Sequence, residues 1–130
     1  MSLTLKKFKM KDVWLSYPLI NSLNGQEHGY ENLLPNTGAF IYECTIPDSQ
    51  TCFLDGLGTN YFANCYMILY IDNENVFGKI ERQIGTPAQP YDFRPDSYKV
   101  RKSVKIYAYN GDTVSHGMEA IVIGRVFYRV

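Results

Sequence analysis

The segment Tyr91-Asp92-Phe93-Arg94-Pro95-Asp96 brings together the residue types that can recognise a ligand: two aromatic rings, an arginine and two acids on a proline-stiffened stretch. Rings and a planar guanidinium flanked by carboxylates can stack on, and hydrogen-bond to, a sugar or a partner's backbone. The plainer reading of the same residues is a loop whose rings cover the edge of the core. A second candidate surface lies on Tyr98 to Tyr109, where Arg101, Lys105, Tyr107 and Tyr109 fall opposite Val100, Val104, Ile106 and Ala108. Tyrosines mixed with cations suit an interface rim and equally an ordinary sheet surface. Tyr30, in an irregular stretch, joins them. The expected contact residues are Tyr30, Tyr91, Phe93, Arg94, Arg101, Lys105, Tyr107 and Tyr109.

Catalytic chemistry finds little footing. The two histidines, His28 and His116, stand alone in loop-like contexts, where a His is usually a solvated polar residue. No nucleophile elbow occurs, and Cys44 and Cys65 lie inside apolar runs, where a thiol behaves as a small hydrophobe. The acids Asp48, Asp55, Asp72, Glu74, Asp92 and Asp96 fall in loop-like contexts and read as caps and turn formers rather than a glycosidase pair. Asp72-Asn73-Glu74-Asn75 lacks the ligand spacing of a calcium loop. Asp55-Gly56-Leu57-Gly58-Thr59-Asn60 has no Lys-Ser/Thr after it and no following helix to hold a phosphate, so it reads as a turn. Three cysteines, Cys44, Cys52 and Cys65, without CxxC spacing argue against a disulfide framework and a zinc site. No catalytic residue, metal or cofactor is expected, and the chain is not expected to be an enzyme.

These side chains need a scaffold, and the sequence predicts a β-sheet one. With 130 residues, 45% hydrophobic and 20% charged, the composition is that of one globular domain able to bury a core without disulfides. Thirteen basic and thirteen acidic residues cancel, which argues against nucleic acid or an anionic membrane as partner. No apolar run approaches a membrane span, and no signal peptide is evident. Aromatic residues make up 15%, among them eleven Tyr, which favour strands and contact surfaces.

Strands are expected at Ala39–Ile46, Thr51–Leu54, Tyr61–Ile71, Tyr98–Tyr109 and Glu119–Val130, with Val76–Ile84 read as strand over helix. Leu3–Val13 is a further strand or an extended arm, over residues 1–11, made basic by Lys6, Lys7, Lys9 and Lys11. Two long loops, Ser16–Gly38 and Gly85–Asp96, are rich in turn formers; Trp14, Tyr17 and Tyr30 border or occupy the first. The expected fold is an all-β, antiparallel β-sandwich of jelly-roll type with seven to eight strands, an open barrel being the alternative.

Taken together, the leading arm (Met1 to Lys11), the Tyr-rich strands, the Pro/Asn/Gly loops and the closing strand (Val126 to Val130) resemble small β-sandwich proteins on the virions of tailed bacteriophages. These are capsid decoration proteins and head-fibre or tail-fibre tip domains. The resemblance implies a non-enzymatic virion structural protein, assembled in the host cytoplasm and displayed on the virion surface. It also implies a homo-oligomer, a trimer above others, that contacts capsid or fibre proteins or a surface glycan. The alternative expectation is a carbohydrate-binding module of jelly-roll type, with Tyr30, Tyr91 and Phe93 or the wet sheet face stacking on sugar rings.

Overall fold

Apolar residues that alternate along a strand give it one face that must leave water, and here two antiparallel sheets bury those faces against each other. The structure, a computed structural model, describes residues 8–14, 26–48 and 50–129. The first sheet holds β1 (Phe8–Trp14), β2 (Gln26–Leu33), β4 (Gln50–Thr59), β7 (Tyr91–Asp92), β8 (Tyr98–Val100) and β10 (His116–Arg129). The second holds β3 (Thr37–Thr45), β5 (Cys65–Ile71), β6 (Glu74–Asn75) and β9 (Ser103–Asn110), in the order β3-β9-β5-β6. The fold is an antiparallel β-sandwich, as the periodicity predicts, and no helix among the described residues is long and apolar enough to cross a membrane.

β10 is the spine of the first sheet. Its early half pairs with β2 (His116↔Leu33 to Ile123↔Gln26) and its late half with β1 (Phe8↔Arg129), while β4 runs along its other edge from Ala120↔Thr59 to Tyr128↔Gln50. β7 and β8 then pair with the far edge of β4. In the second sheet, β5 alternates cleanly: Cys65, Met67, Leu69 and Ile71 point inward, and Tyr66, Ile68 and Tyr70 outward. β9 sends Val104, Ile106, Ala108 and Asn110 inward. Buried Leu54, Leu57, Val100, Met118, Ala120 and Val122 meet them from the first sheet. Asn110 is fully buried yet satisfied: its Nδ2 donates to the carbonyls of Leu33 and Val114, each at 2.9 Å, and its Oδ1 accepts from the Asp112 N–H at 2.9 Å.

Several expectations change. Gln26–Leu33, expected within a loop, is a strand. It lacks apolar alternation because backbone pairing with β10 holds it. Asp55-Gly56-Leu57-Gly58, expected as a turn, lies in the buried second half of β4. The glycines are there for closeness: a Cβ on Gly58 would lie 2.2 Å from the Thr86 carbonyl oxygen, and one on Gly56 would lie 2.9 Å from that of Tyr91. Val76–Ile84 is not a strand; only Ile80 bridges, to Met67.

Tyr98–Tyr109, expected as one strand, is two strands in different sheets, broken at Arg101-Lys102. Phe8–Lys11, expected as part of a first strand or an extended arm, is strand: it lies in β1, paired to β10. Residues 1–7, with Lys6 and Lys7, and Tyr17 lie outside the described residues.

Candidate functional site: two aromatic surfaces

The first surface forms where the two sheets part. Residues 76–85 leave the edge of β5, where the Val76 N–H donates to Leu69 O at 3.2 Å and Ile80 exchanges hydrogen bonds with Met67. They finish on β4, where the Thr59 N–H donates to Ile84 O at 2.9 Å and Thr59 Oγ1 accepts from the Ile84 N–H at 3.0 Å. Residues 91–98 come from β4's own edge through β7 and β8. Between these two walls lies an open cleft of about 920 Å³.

Phe93 is its aromatic centre. Tyr98 stands edge-on to it at 5.2 Å between ring centroids, Tyr91 is tilted at 5.6 Å, and Phe77 at 6.2 Å. Phe77 also meets Tyr98 edge-on at 5.6 Å. Phe93 and Tyr98 are half-buried, whereas Tyr91 is 57% and Phe77 39% exposed. Arg82, Gln83 and Asp96 add polar groups to the lining.

The wall that carries Tyr91 and Phe93 is held from below by an acid. In the β4–β10 register Ile123 faces Gly56 and Gly124 faces Leu54, so Asp55 is the extra residue of a β-bulge. A bulge re-aims a side chain that regular pleating would fix. Asp55, 2% exposed, receives the Arg125 guanidinium (Nε 2.7 Å, Nη2 3.0 Å) and the Ser97 hydroxyl, while its carbonyl accepts from the Phe93 N–H at 2.7 Å. On the outside, Arg94 turns back onto Asp92, with Nε at 2.9 Å and Nη2 at 2.7 Å from its two oxygens. These bonds, with the Arg94 N–H, push the Asp92 carboxyl down to about 2.

The second surface is the outward face of the β3-β9-β5 sheet. Phe40, 47% exposed, stands edge-on to Tyr107 at 5.4 Å and tilts toward Tyr70 at 6.1 Å. Tyr66 and Tyr109 stack at 5.3 Å, and the half-exposed Ile68 lies opposite Tyr107. Lys79 sits 4.6 Å over the Tyr66 ring, and Lys105 6.0 Å over Phe40. Glu43 is the register partner of Lys105, so both signs of charge occupy this face.

The structure thus divides the expected contact residues. Tyr91 and Phe93 meet in the cleft, and Lys105, Tyr107 and Tyr109 on the sheet face. Arg94 belongs to the cleft wall but is engaged by Asp92. Arg101 does not join the Lys105 face. It lies in the crossover between β8 and β9, where Asp72 binds its N–H. Tyr30 is on β2, on the opposite side of β10 from β4 and the cleft, beside His28. Phe77, Arg82 and Tyr98 in the cleft, and Phe40, Tyr66 and Tyr70 on the face, are not among the contact residues expected from the sequence. For Tyr66 and Tyr70 the signal existed, because the run Tyr66–Ile71 is apolar on both faces and only one is buried.

The histidines have intramolecular roles: His28 pairs with Glu119, and His116 binds Asp112 at 2.8 Å while stacking on Phe62 at 4.0 Å. Among the described residues no cluster of three or more His, Cys, Asp or Glu converges as metal ligands would. A scan against models of known protein families finds no match, and a search of curated protein sequences finds none either.

Proposed function

We propose that this chain is a non-enzymatic structural protein that works through protein–protein contacts, with the outward face of β3-β9-β5 as its contact to further copies of itself. The observation that carries the reading is the row of Phe40, Tyr66, Ile68, Tyr70, Tyr107 and Tyr109 on one exposed sheet face. Interface centres are enriched in aromatic residues, whose large rigid rings lose little conformational entropy on docking. A contiguous apolar patch left in water is otherwise a liability. Further copies suit this face because Glu43 and Lys105 give it both signs of charge. The acidic side of one copy can then meet the basic side of the next, head to tail around a closed ring, without net repulsion.

The resemblance in style to decoration and fibre proteins of tailed bacteriophages extends the proposal. The oligomer, a trimer above others, is assembled in the host cytoplasm and sits on the virion surface against capsid or fibre proteins. Sedimentation of the wild-type chain beside Tyr70→Glu and Tyr107→Glu tests the contact. The wild type should sediment as a closed oligomer, and the charged variants as folded monomers. Variants that retain the wild-type assembly would exclude this face as the contact.

A further inference from the structure

We infer that the cleft between residues 77–85 and 91–98 is a binding site for a neutral oligosaccharide, a function separate from the sheet-face contact proposed above. Three observations carry it. The first is the pairing of exposed rings with unengaged polar groups. Tyr91 and Phe77 are the exposed rings of the lining, and the half-buried Phe93 and Tyr98 pack against them. An aromatic face carries negative charge density and suits the slightly positive C–H groups on one side of a pyranose. Arg82, Gln83 and Asp96 line the same cleft, and none of their side chains has a hydrogen-bond or ion-pair partner among the described residues. Donor, amide and acceptor are together what a polyhydroxyl ligand needs. Asp92 and Arg94, by contrast, already satisfy each other.

The second observation is charge balance. Lys79 and Arg82 are offset by Glu81 and Asp96 within the lining. A cleft with no net charge gives no electrostatic preference for a phosphate, an acidic sugar or a basic peptide. The third is rigidity. One wall is pinned by Thr59 to Ile84 and the other by Asp55 to Phe93 and Ser97, so little ordering is left to oppose binding. At about 920 Å³ the cleft is near the upper end of small-molecule sites, sized for a short oligosaccharide rather than one sugar.

Calorimetry and amide chemical-shift mapping of the full chain test the proposal. The probes are cellohexaose, chitohexaose, laminarihexaose, maltohexaose and mannohexaose, each up to about 5 mM, enough to detect millimolar affinity. At least one should bind, with shifts confined to residues 77–98. Tyr91→Ala and Arg82→Ala, both at exposed positions, should each weaken it about tenfold, the worth of one stacked ring or charged hydrogen bond. Tyr107→Ala, on the sheet face, should leave it unchanged. Absence of binding across the panel would overturn the inference. So would binding that survives Tyr91→Ala, or that occurs only with a charged probe such as a heparin hexasaccharide or an acidic peptide. Since Tyr70→Glu and Tyr107→Glu report on assembly alone, failure of either proposal is told apart from failure of the other.

Discussion

Asp72 Oδ1 accepts a hydrogen bond from the backbone N–H of Lys102 at 2.6 Å, thirty positions along the chain. The same carboxylate takes the N–H groups of Arg101 at 3.0 Å and Ser103 at 3.2 Å. This is the point where the chain leaves β8 in one sheet and enters β9 in the other, so three N–H groups that no ladder can serve are served by one side chain. Asp72 is itself at φ 53° and Asn73 at φ 68°, the two-residue turn that joins β5 to β6. Asp72→Ala should destabilise the protein by about 2 kcal/mol, since several donors lose a charged acceptor. Asp72→Asn, which keeps one acceptor oxygen, should cost less. Urea denaturation of both variants measures the difference.

The Asp55–Arg125 pair should matter more to stability. Breaking a buried pair leaves an unpaired charge in low dielectric, which costs roughly 3–5 kcal/mol. Arg125 keeps 33% of its side chain exposed, so about 3 kcal/mol is expected for Arg125→Met, which strands the Asp55 carboxylate. Denaturant midpoints at pH 7 check the value. The loss should be accompanied by altered signals from Phe93 and Ser97, because Asp55 also holds the cleft wall.

Asp92 should titrate about two pH units below an ordinary aspartate, with a midpoint near 2 against the usual 3.8. Its folded value is the lower one. The Arg94 clamp is therefore fully present above the ordinary range and is lost as pH falls from about 4 through 2. Carbon-13 NMR of the carboxylate reads the midpoint directly. In Arg94→Ala it should return toward the ordinary value, because the guanidinium is the largest cause of the shift.

The cysteines give a check on the core. Burial pushes the Cys52 thiol up to about 12, with Cys44 and Asp55 adding to the rise and Arg125 opposing it. Burial likewise raises Cys65. Since only the thiolate reacts, Cys52 and Cys65 should resist iodoacetamide at pH 8 in the native protein. Both should label within minutes in denaturant. Mass spectrometry after timed labelling distinguishes the two states.

The parts of the fold legible in the sequence are those written as local alternation. Cys65–Ile71 and Ser103–Asn110 are strands because every second residue is apolar and one face of each is buried. Gln26–Leu33 was illegible because its order comes from β10, more than eighty residues away, and only Gly29 and Leu33 of residues 28–33 are buried. Gly56 and Gly58 signal a turn by composition, yet they mark close backbone approach, a fact about Thr86 and Tyr91. The break at Arg101-Lys102 is set by Asp72 and has no local signature.

The binding surfaces divide in the same way. Tyr91 and Phe93 stand out because rings and prolines share a short segment. Phe77 and Tyr98 join them only when the loop from β5 is laid against β4, which no spacing along the chain reveals.

The solution mass of the purified chain, by light scattering coupled to size exclusion over a dilution series, tests the central claim most directly. An assembly contact through Phe40, Tyr70 and Tyr107 predicts a stable closed oligomer, with a mass near three times the 14.9 kDa of one chain for the favoured trimer. A single species of 14.9 kDa at all concentrations would contradict self-assembly through the aromatic sheet face.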